Sequence, residues 1–102
     1  MATLKFGIGK KVIVRTYSAG VFFGTLAEKQ GNEVILKNAR RLRQWFAREG
    51  MDLQGVATSG VVPEKSIITC PVSKQWIEAV EIISMTRTAI ESIEGCKIAV
   101  PE

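Results

Sequence analysis

The sequence predicts an α+β fold, an antiparallel β-sheet of four to five strands with two short helices on one face. Three observations predict it. β-branched and aromatic runs recur through the first half and are separated by short turn signals. The apolar spacing then changes to a helical period over Arg40 to Glu49. Near the other end, Thr88-Ala89-Ile90-Glu91 matches a capping box that opens a second helix.

Taken in order, Lys11 to Thr16 carries Val12, Ile13 and Val14 and reads as the first strand. Tyr17-Ser18-Ala19-Gly20 follows as a turn, with Gly20 free to take a positive φ. Val21 to Lys29, with Phe22, Phe23 and Leu26, is the second strand. Gln30-Gly31-Asn32 turns the chain into a third strand, Glu33 to Asn38, carrying Val34, Ile35 and Leu36. Connections this short favour antiparallel pairing.

Leu42, Trp45 and Phe46 are spaced i, i+3 and i+4 and predict a helix over Arg40 to Glu49, rimmed by arginines and stopped by Gly50. Residues 51–65, rich in glycine, serine and threonine, predict one helical turn at most and then a loop. Ile67 to Cys70 predicts a short strand stopped by Pro71. Trp76 to Met85 fits either period, and its density of β-branched residues favours a strand. A second helix begins at Thr88 or a little earlier and closes at Gly95, and Lys97 to Glu102 is a tail or edge strand.

The chain has 102 residues, a length that suits one domain, 1–102. Hydrophobic residues make up 46% and charged residues 24%, which excludes disordered and collagen-like classes. No apolar run approaches the ~20 residues needed to span a bilayer, and Met1 to Lys11 lacks a signal-peptide pattern. Two cysteines, Cys70 and Cys96, are too few for a disulfide framework and predict a cytoplasmic chain with reduced thiols.

The absence of histidine removes Ser-His-Asp and Cys-His catalysis and most zinc and iron ligand sets. A binding protein with no cofactor and no catalytic residues is therefore expected, rather than an enzyme. Charge is unevenly placed. Residues 1–50 carry +7 and residues 51–102 carry −3. A basic half points to an anionic partner such as nucleic acid, a nucleotide or an acidic protein face, and it also suits head-to-tail self-association.

Three stretches are candidate anion sites. In Arg15-Thr16-Tyr17-Ser18-Ala19-Gly20 an arginine precedes a small-residue turn whose N–H groups can converge on an anion; from spacing alone, an ordinary hairpin turn with an exposed arginine is the simpler reading. In Asn38-Ala39-Arg40-Arg41-Leu42, two arginines stand at the strand-to-helix junction, with Trp45 beyond as a stacking surface. A core face of Leu42, Trp45 and Phe46 with solvated arginines around it is the alternative there. Thr86-Arg87-Thr88 opens the last helix, as an anion site or as plain capping. Gly7-Ile8-Gly9-Lys10-Lys11 is not a phosphate-binding Walker loop and reads as a flexible lead-in. Glu78 and Glu81 face opposite sides of a strand, which rules against paired acid–base work.

The words RTYSAGVFFGTL (Arg15 to Leu26), NARRL (Asn38 to Leu42) and EIISMTRTAIESI (Glu81 to Ile93) resemble a family of small proteins of tailed-phage and prophage genomes. Within phage biology the chain resembles the Thoeris anti-defence sponges. That resemblance implies binding of cyclic ADP-ribose-type signals, and in some members cyclic oligonucleotides, without degrading them. It implies action in the infected host's cytoplasm, and dimers assembled into hexamers with pockets at subunit junctions.

Carried over by position, Arg15, Tyr17 to Gly20, Arg40, Arg41 and Thr86 would be phosphate or base contacts. With Asn38 and Trp45, the candidate ligand-binding set is Arg15, Tyr17, Ser18, Ala19, Gly20, Asn38, Arg40, Arg41, Trp45 and Thr86. The chain departs from the pattern at Arg43-Gln44-Trp45-Phe46 and over Gly50 to Pro63. Two rival readings remain. One is a nucleic-acid-binding module that lays the Arg40 to Arg48 helix on a backbone. The other is a protein-interaction inhibitor of a host factor.

Overall fold

The computed structural model describes residues 6–50 and 52–96. The expected tail at Lys97 to Glu102 lies outside them. Five antiparallel strands, β1 (Lys11–Thr16), β2 (Val21–Gln30), β3 (Glu33–Gln44), β4 (Ile67–Ile68) and β5 (Val72–Ser84), are joined by α1 (Leu53–Ser59) and followed by α2 (Arg87–Glu94). The strand order is β2-β1-β5-β3-β4, and β2 also pairs with β3. That last pairing closes β1, β2, β3 and β5 into a ring.

The ring explains the unbroken apolar runs. Val12 and Val14 of β1 join Phe22, Leu26, Val34, Leu36, Ala39, Ile77 and Ala79 in one core inside the ring. Ile13 and Phe23, one residue away, point to the other side. There they join Leu42 and Ile68 against Leu53, Val56 and Ala57 of α1 and Ile93 of α2. Strands covered on both faces lose the polar alternation of a half-exposed sheet. Each fully buried Val, Leu, Ile or Phe contributes about 1.5–3 kcal/mol. The two helices thus cover the same side of the sheet, although α1 stands where the sequence predicts a single turn and a loop.

Five local expectations change. No helix forms over Arg40 to Glu49; β3 runs on to Gln44, with Leu42 opposite both Val21 and Ile68. Ladder partners on two sides outweigh a spacing that is helical by coincidence, since Leu42 is buried while Phe46 is half-exposed. Asn38 does not end the strand. It takes a positive φ of 52° inside it, a conformation asparagine tolerates, and the resulting bulge shifts which residues face the ring.

α1 is longer than one turn. Asp52 caps it by accepting from the Gly55 N–H at 3.0 Å, and Leu53, Val56 and Ala57 give it an apolar face. α2 is capped by Thr86, whose hydroxyl accepts from the Ala89 N–H at 3.1 Å, so the Thr88–Glu91 capping box is not used. Finally, Gly7 to Lys10 is a turn tied to β2. The Gly9 N–H donates to the Leu26 carbonyl at 2.7 Å and the Leu26 N–H to the Lys10 carbonyl at 3.0 Å.

Among the described residues, no helix is long and apolar enough to cross a membrane.

Candidate functional site

Arg15 is the last exposed residue of β1, opposite Glu81 on β5. Its Nε donates to Glu81 Oε1 at 3.1 Å. Only that nitrogen is engaged among the described residues, so the terminal Nη fork remains for another acceptor. Arg15 and Glu81 lie on the helix side of the sheet because Ile13 and Ile83, two residues from each, do so as well. A bulge in the β1–β5 register puts Glu81 there, after Glu78 on the outer face.

The chain beyond β3 brings Trp45 to the same place, and α1 brings its first turn. Arg15, Val21, Trp45, Asp52, Leu53, Gln54 and Glu81 line one open cleft of about 570 Å³. The cleft therefore has an indole and two aliphatic side chains as an apolar wall, a guanidinium, two carboxylates and an amide. Its formal charge is −1. Bare phosphate is poorly served by that balance. A ligand with a flat ring, hydroxyls and a phosphate is better served: the indole stacks, carboxylates accept from hydroxyls, and the guanidinium fork takes the phosphate.

The Tyr17 to Gly20 turn stands at the same end of β1 but beside a second cleft. Thr16, Tyr17, Ser18, Ala19 and Gln75 to Glu78 line a space of about 470 Å³. Gly20 has the expected positive φ, 97°. The turn is not a free cradle of N–H groups. Ala19 N–H donates to Thr16 Oγ1 at 2.9 Å, and Thr16 Oγ1 donates in turn to the Gly20 carbonyl at 2.7 Å. Tyr17 is 93% exposed, a ring without packing partners. Arg41 is exposed, with its guanidinium 4.9 Å from the centre of the Phe22 ring.

The other expected contacts lie elsewhere. Arg40 and Arg41, adjacent in β3, face opposite sides and do not act as a pair. Arg40 is 6% exposed. Its guanidinium donates to the main-chain carbonyls of Thr69 at 2.8 Å, Ile93 at 2.9 Å and Cys96 at 3.4 Å. It is committed to structure. Asn38 sits at the β3 bulge. Thr86 stands beyond the far end of β1, after Ser84, which pairs with Val12. Its N–H donates to the Ala57 carbonyl at 3.0 Å and its hydroxyl to the Thr58 carbonyl at 2.6 Å, which ties α2 to α1. The arginine-rimmed helix that a nucleic-acid reading required is a strand as far as Gln44 and irregular chain beyond it.

Asp52, Leu53, Gln54 and Glu81 were missed as site residues. The Asp52 cap followed by apolar Leu53, Val56 and Ala57 is a legible helix signal that would have placed three of them. Nothing in the sequence reveals that Glu81 meets Arg15, because strand register across sixty-six positions is a tertiary fact.

Among the described residues no cluster of His, Cys, Asp or Glu could hold a metal ion. Burial pushes the Cys96 thiol above its ordinary range, against the opposing pull of Arg40 and Arg48, with Glu64 raising it further.

No curated protein and no solved structure matches the chain. A family model described as a domain of unknown function (DUF6948) matches residues 9–93, a span that contains all five strands and the whole cleft. The chain with this cleft belongs to the DUF6948 family.

Proposed function

We propose that the protein binds a nucleotide-type ligand of the cyclic ADP-ribose or cyclic oligonucleotide class in the Arg15–Trp45 cleft and sequesters it intact. The setting is the phage anti-defence one that the sequence resemblance implies, in the cytoplasm of an infected host. One observation carries the reading. Arg15 and Trp45, thirty residues apart and both singled out as ligand contacts from sequence, line one cleft of a size that suits a dinucleotide-scale molecule.

The cleft's chemistry supports holding rather than cutting. A ring stacked on Trp45, ribose hydroxyls on Asp52 and Glu81, and a phosphate on the Arg15 fork use the guanidinium and both carboxylates as contacts. A nanomolar site corresponds to about 12 kcal/mol of binding free energy. Two or three charge-assisted contacts at ~1.5–3 kcal/mol each, with stacking on the indole, supply much of it when the cleft is preformed.

Calorimetry against cyclic ADP-ribose isomers, cyclic trinucleotides and a short duplex tests the reading. Expected is tight binding of one small nucleotide, recovered intact after heat denaturation, with affinity lowered tenfold or more, about 1.4 kcal/mol, by Arg15→Ala and by Trp45→Ala. Binding of the duplex alone, with log affinity falling steeply against log salt, would instead establish a nucleic-acid module. Product in place of the intact nucleotide would overturn sequestration.

A further inference from the structure

The outer face of the sheet carries an arrangement unrelated to the cleft. β3 and β5 pair with Glu33 opposite Glu78, Ile35 opposite Trp76 and Lys37 opposite Lys74. Two of these three neighbouring pairs set like charges against each other, which disfavours the pairing. Among the described residues neither Lys37 nor Lys74 has a carboxylate within ion-pair distance, and neither does Glu78 a cation. Glu33 accepts from the Trp76 indole N–H at 3.0 Å. Trp76 itself is 54% exposed.

No strand pairs with the other side of this stretch of β5, where the Tyr17–Ala19 turn stands across the second cleft from Gln75 to Glu78. β1 pairs with β5 only from Ala79 onward, so residues 72–78 have β3 on one side and no strand on the other. The Ala79 N–H donates to the Asn32 carbonyl on the β3 side at 2.7 Å. In an antiparallel ladder the direction of the main-chain groups alternates along the strand. Ile77 and Gln75 therefore also bond toward β3, and Lys74, Trp76 and Glu78 turn their N–H and C=O groups to the unpaired side. An exposed row of this kind is a template for another strand.

We propose that this edge pairs with the same edge of a second copy, antiparallel and centred on Trp76. A two-fold axis at Trp76 sets each Trp76 opposite its counterpart and each Lys74 opposite the second copy's Glu78. All three pairs are then of the hydrogen-bonded kind, because these three residues carry the outward-facing main-chain groups. Across the joined sheet, one row reads Lys37, Lys74 and then the second copy's Glu78 and Glu33. The like-charge pairs of one chain are neutralised by those of the other, in both directions at once. The edge is self-complementary in charge, in register and in hydrogen-bond parity, as a two-fold interface requires. That self-complementarity selects a second copy over an unrelated extended peptide, which would have to match Lys74 and Glu78 independently.

The test is charge reversal read by light scattering and sedimentation over a wide concentration series, without any nucleotide. The wild-type chain is expected to be a dimer. Lys74→Glu and Glu78→Lys each place like charges opposite at two symmetric positions, and each is expected to weaken dimerisation about tenfold or more. The double variant Lys74→Glu with Glu78→Lys restores opposite charges and is expected to restore the dimer. It also guards against misfolding as the cause of loss in the single variants. Hydrogen exchange adds a second readout: the Lys74, Trp76 and Glu78 amides are expected to be protected in the dimer. A monomer at the highest concentration, with those amides exchanging freely, would overturn the proposal and leave the edge to a different partner. So would a dimer indifferent to the single reversals.

Discussion

The guanidinium of Arg40 donates from Nη1 to the carbonyl oxygen of Ile93, in the last turn of α2, at 2.9 Å. A buried cation is ordinarily costly when no carboxylate pairs with it, and among the described residues none pairs with Arg40. Here the partial negative charge of a helix C-terminus and two further carbonyls, those of Thr69 and Cys96, replace its water. One side chain of β3 thereby fastens the C-terminal end of α2 to the sheet and to the segment after β4.

Replacing that side chain tests its structural role. Arg40→Met keeps most of the volume and removes every donor, which strands three carbonyls. The expected loss is about 3 kcal/mol, or a Tm lower by ~10–20 °C in a domain of this size. Calorimetric melting measures it. A Tm within a degree or two of wild type would show that water satisfies those carbonyls instead.

Thr86→Ala removes the α2 cap and the hydrogen bond to the Thr58 carbonyl together. Destabilisation of about 1–2 kcal/mol is expected by chemical denaturation, with nucleotide affinity unchanged in the folded protein. A variant with wild-type stability and lost affinity would return Thr86 to the ligand site.

Gly60 has φ of 91°, and a Cβ built on it would lie 2.5 Å from Ser92 Cβ. Gly60→Ala is expected to cost about 1–3 kcal/mol from strain and collision. Adding Ser92→Gly relieves the collision but not the backbone strain, and it forfeits the Ser92 hydroxyl's hydrogen bonds with Val61, so it should recover at most part of the loss in a thermal melt. Full recovery would mean that φ at this position is not strained.

The two thiols should differ in reactivity. Cys70 is exposed and Cys96 buried. Burial also raises the Cys96 pKa, which leaves less thiolate to react. A thiol reagent is expected to modify Cys70 first and Cys96 only on unfolding, as read by mass spectrometry of the modified peptides. Because the folded state holds the Cys96 proton more tightly than the unfolded chain, stability should fall as pH rises above the ordinary thiol range. Stability flat through that range in wild type and in Cys96→Ala alike would refute the linkage.

Where the signal was local, the sequence was readable. β1, β2 and the start of β3 follow from β-branched runs bounded by Gly20 and Gly31, and the helical end closes at Gly95. Arg15 and Trp45 could be nominated from residue type alone. Arg40 could be nominated too, and wrongly, since nothing in Arg40-Arg41 says which guanidinium is buried. Asn38 decides that: its positive φ shifts the facing of β3, so that Arg40 turns toward α2 and Arg41 toward Phe22.

By itself the sequence determined the composition of the strands, the turns between them and the absence of imidazole chemistry. Those depend on neighbours a few positions apart, whose sterics and hydrogen bonds are settled within one segment. Only the tertiary structure decided that β2 closes on β3, that Glu81 meets Arg15 and that β5 is left with an unpaired, charge-alternating edge. Each of these is a long-range register, selected by which pairing buries both faces of the apolar strands, and no local property of the chain encodes it.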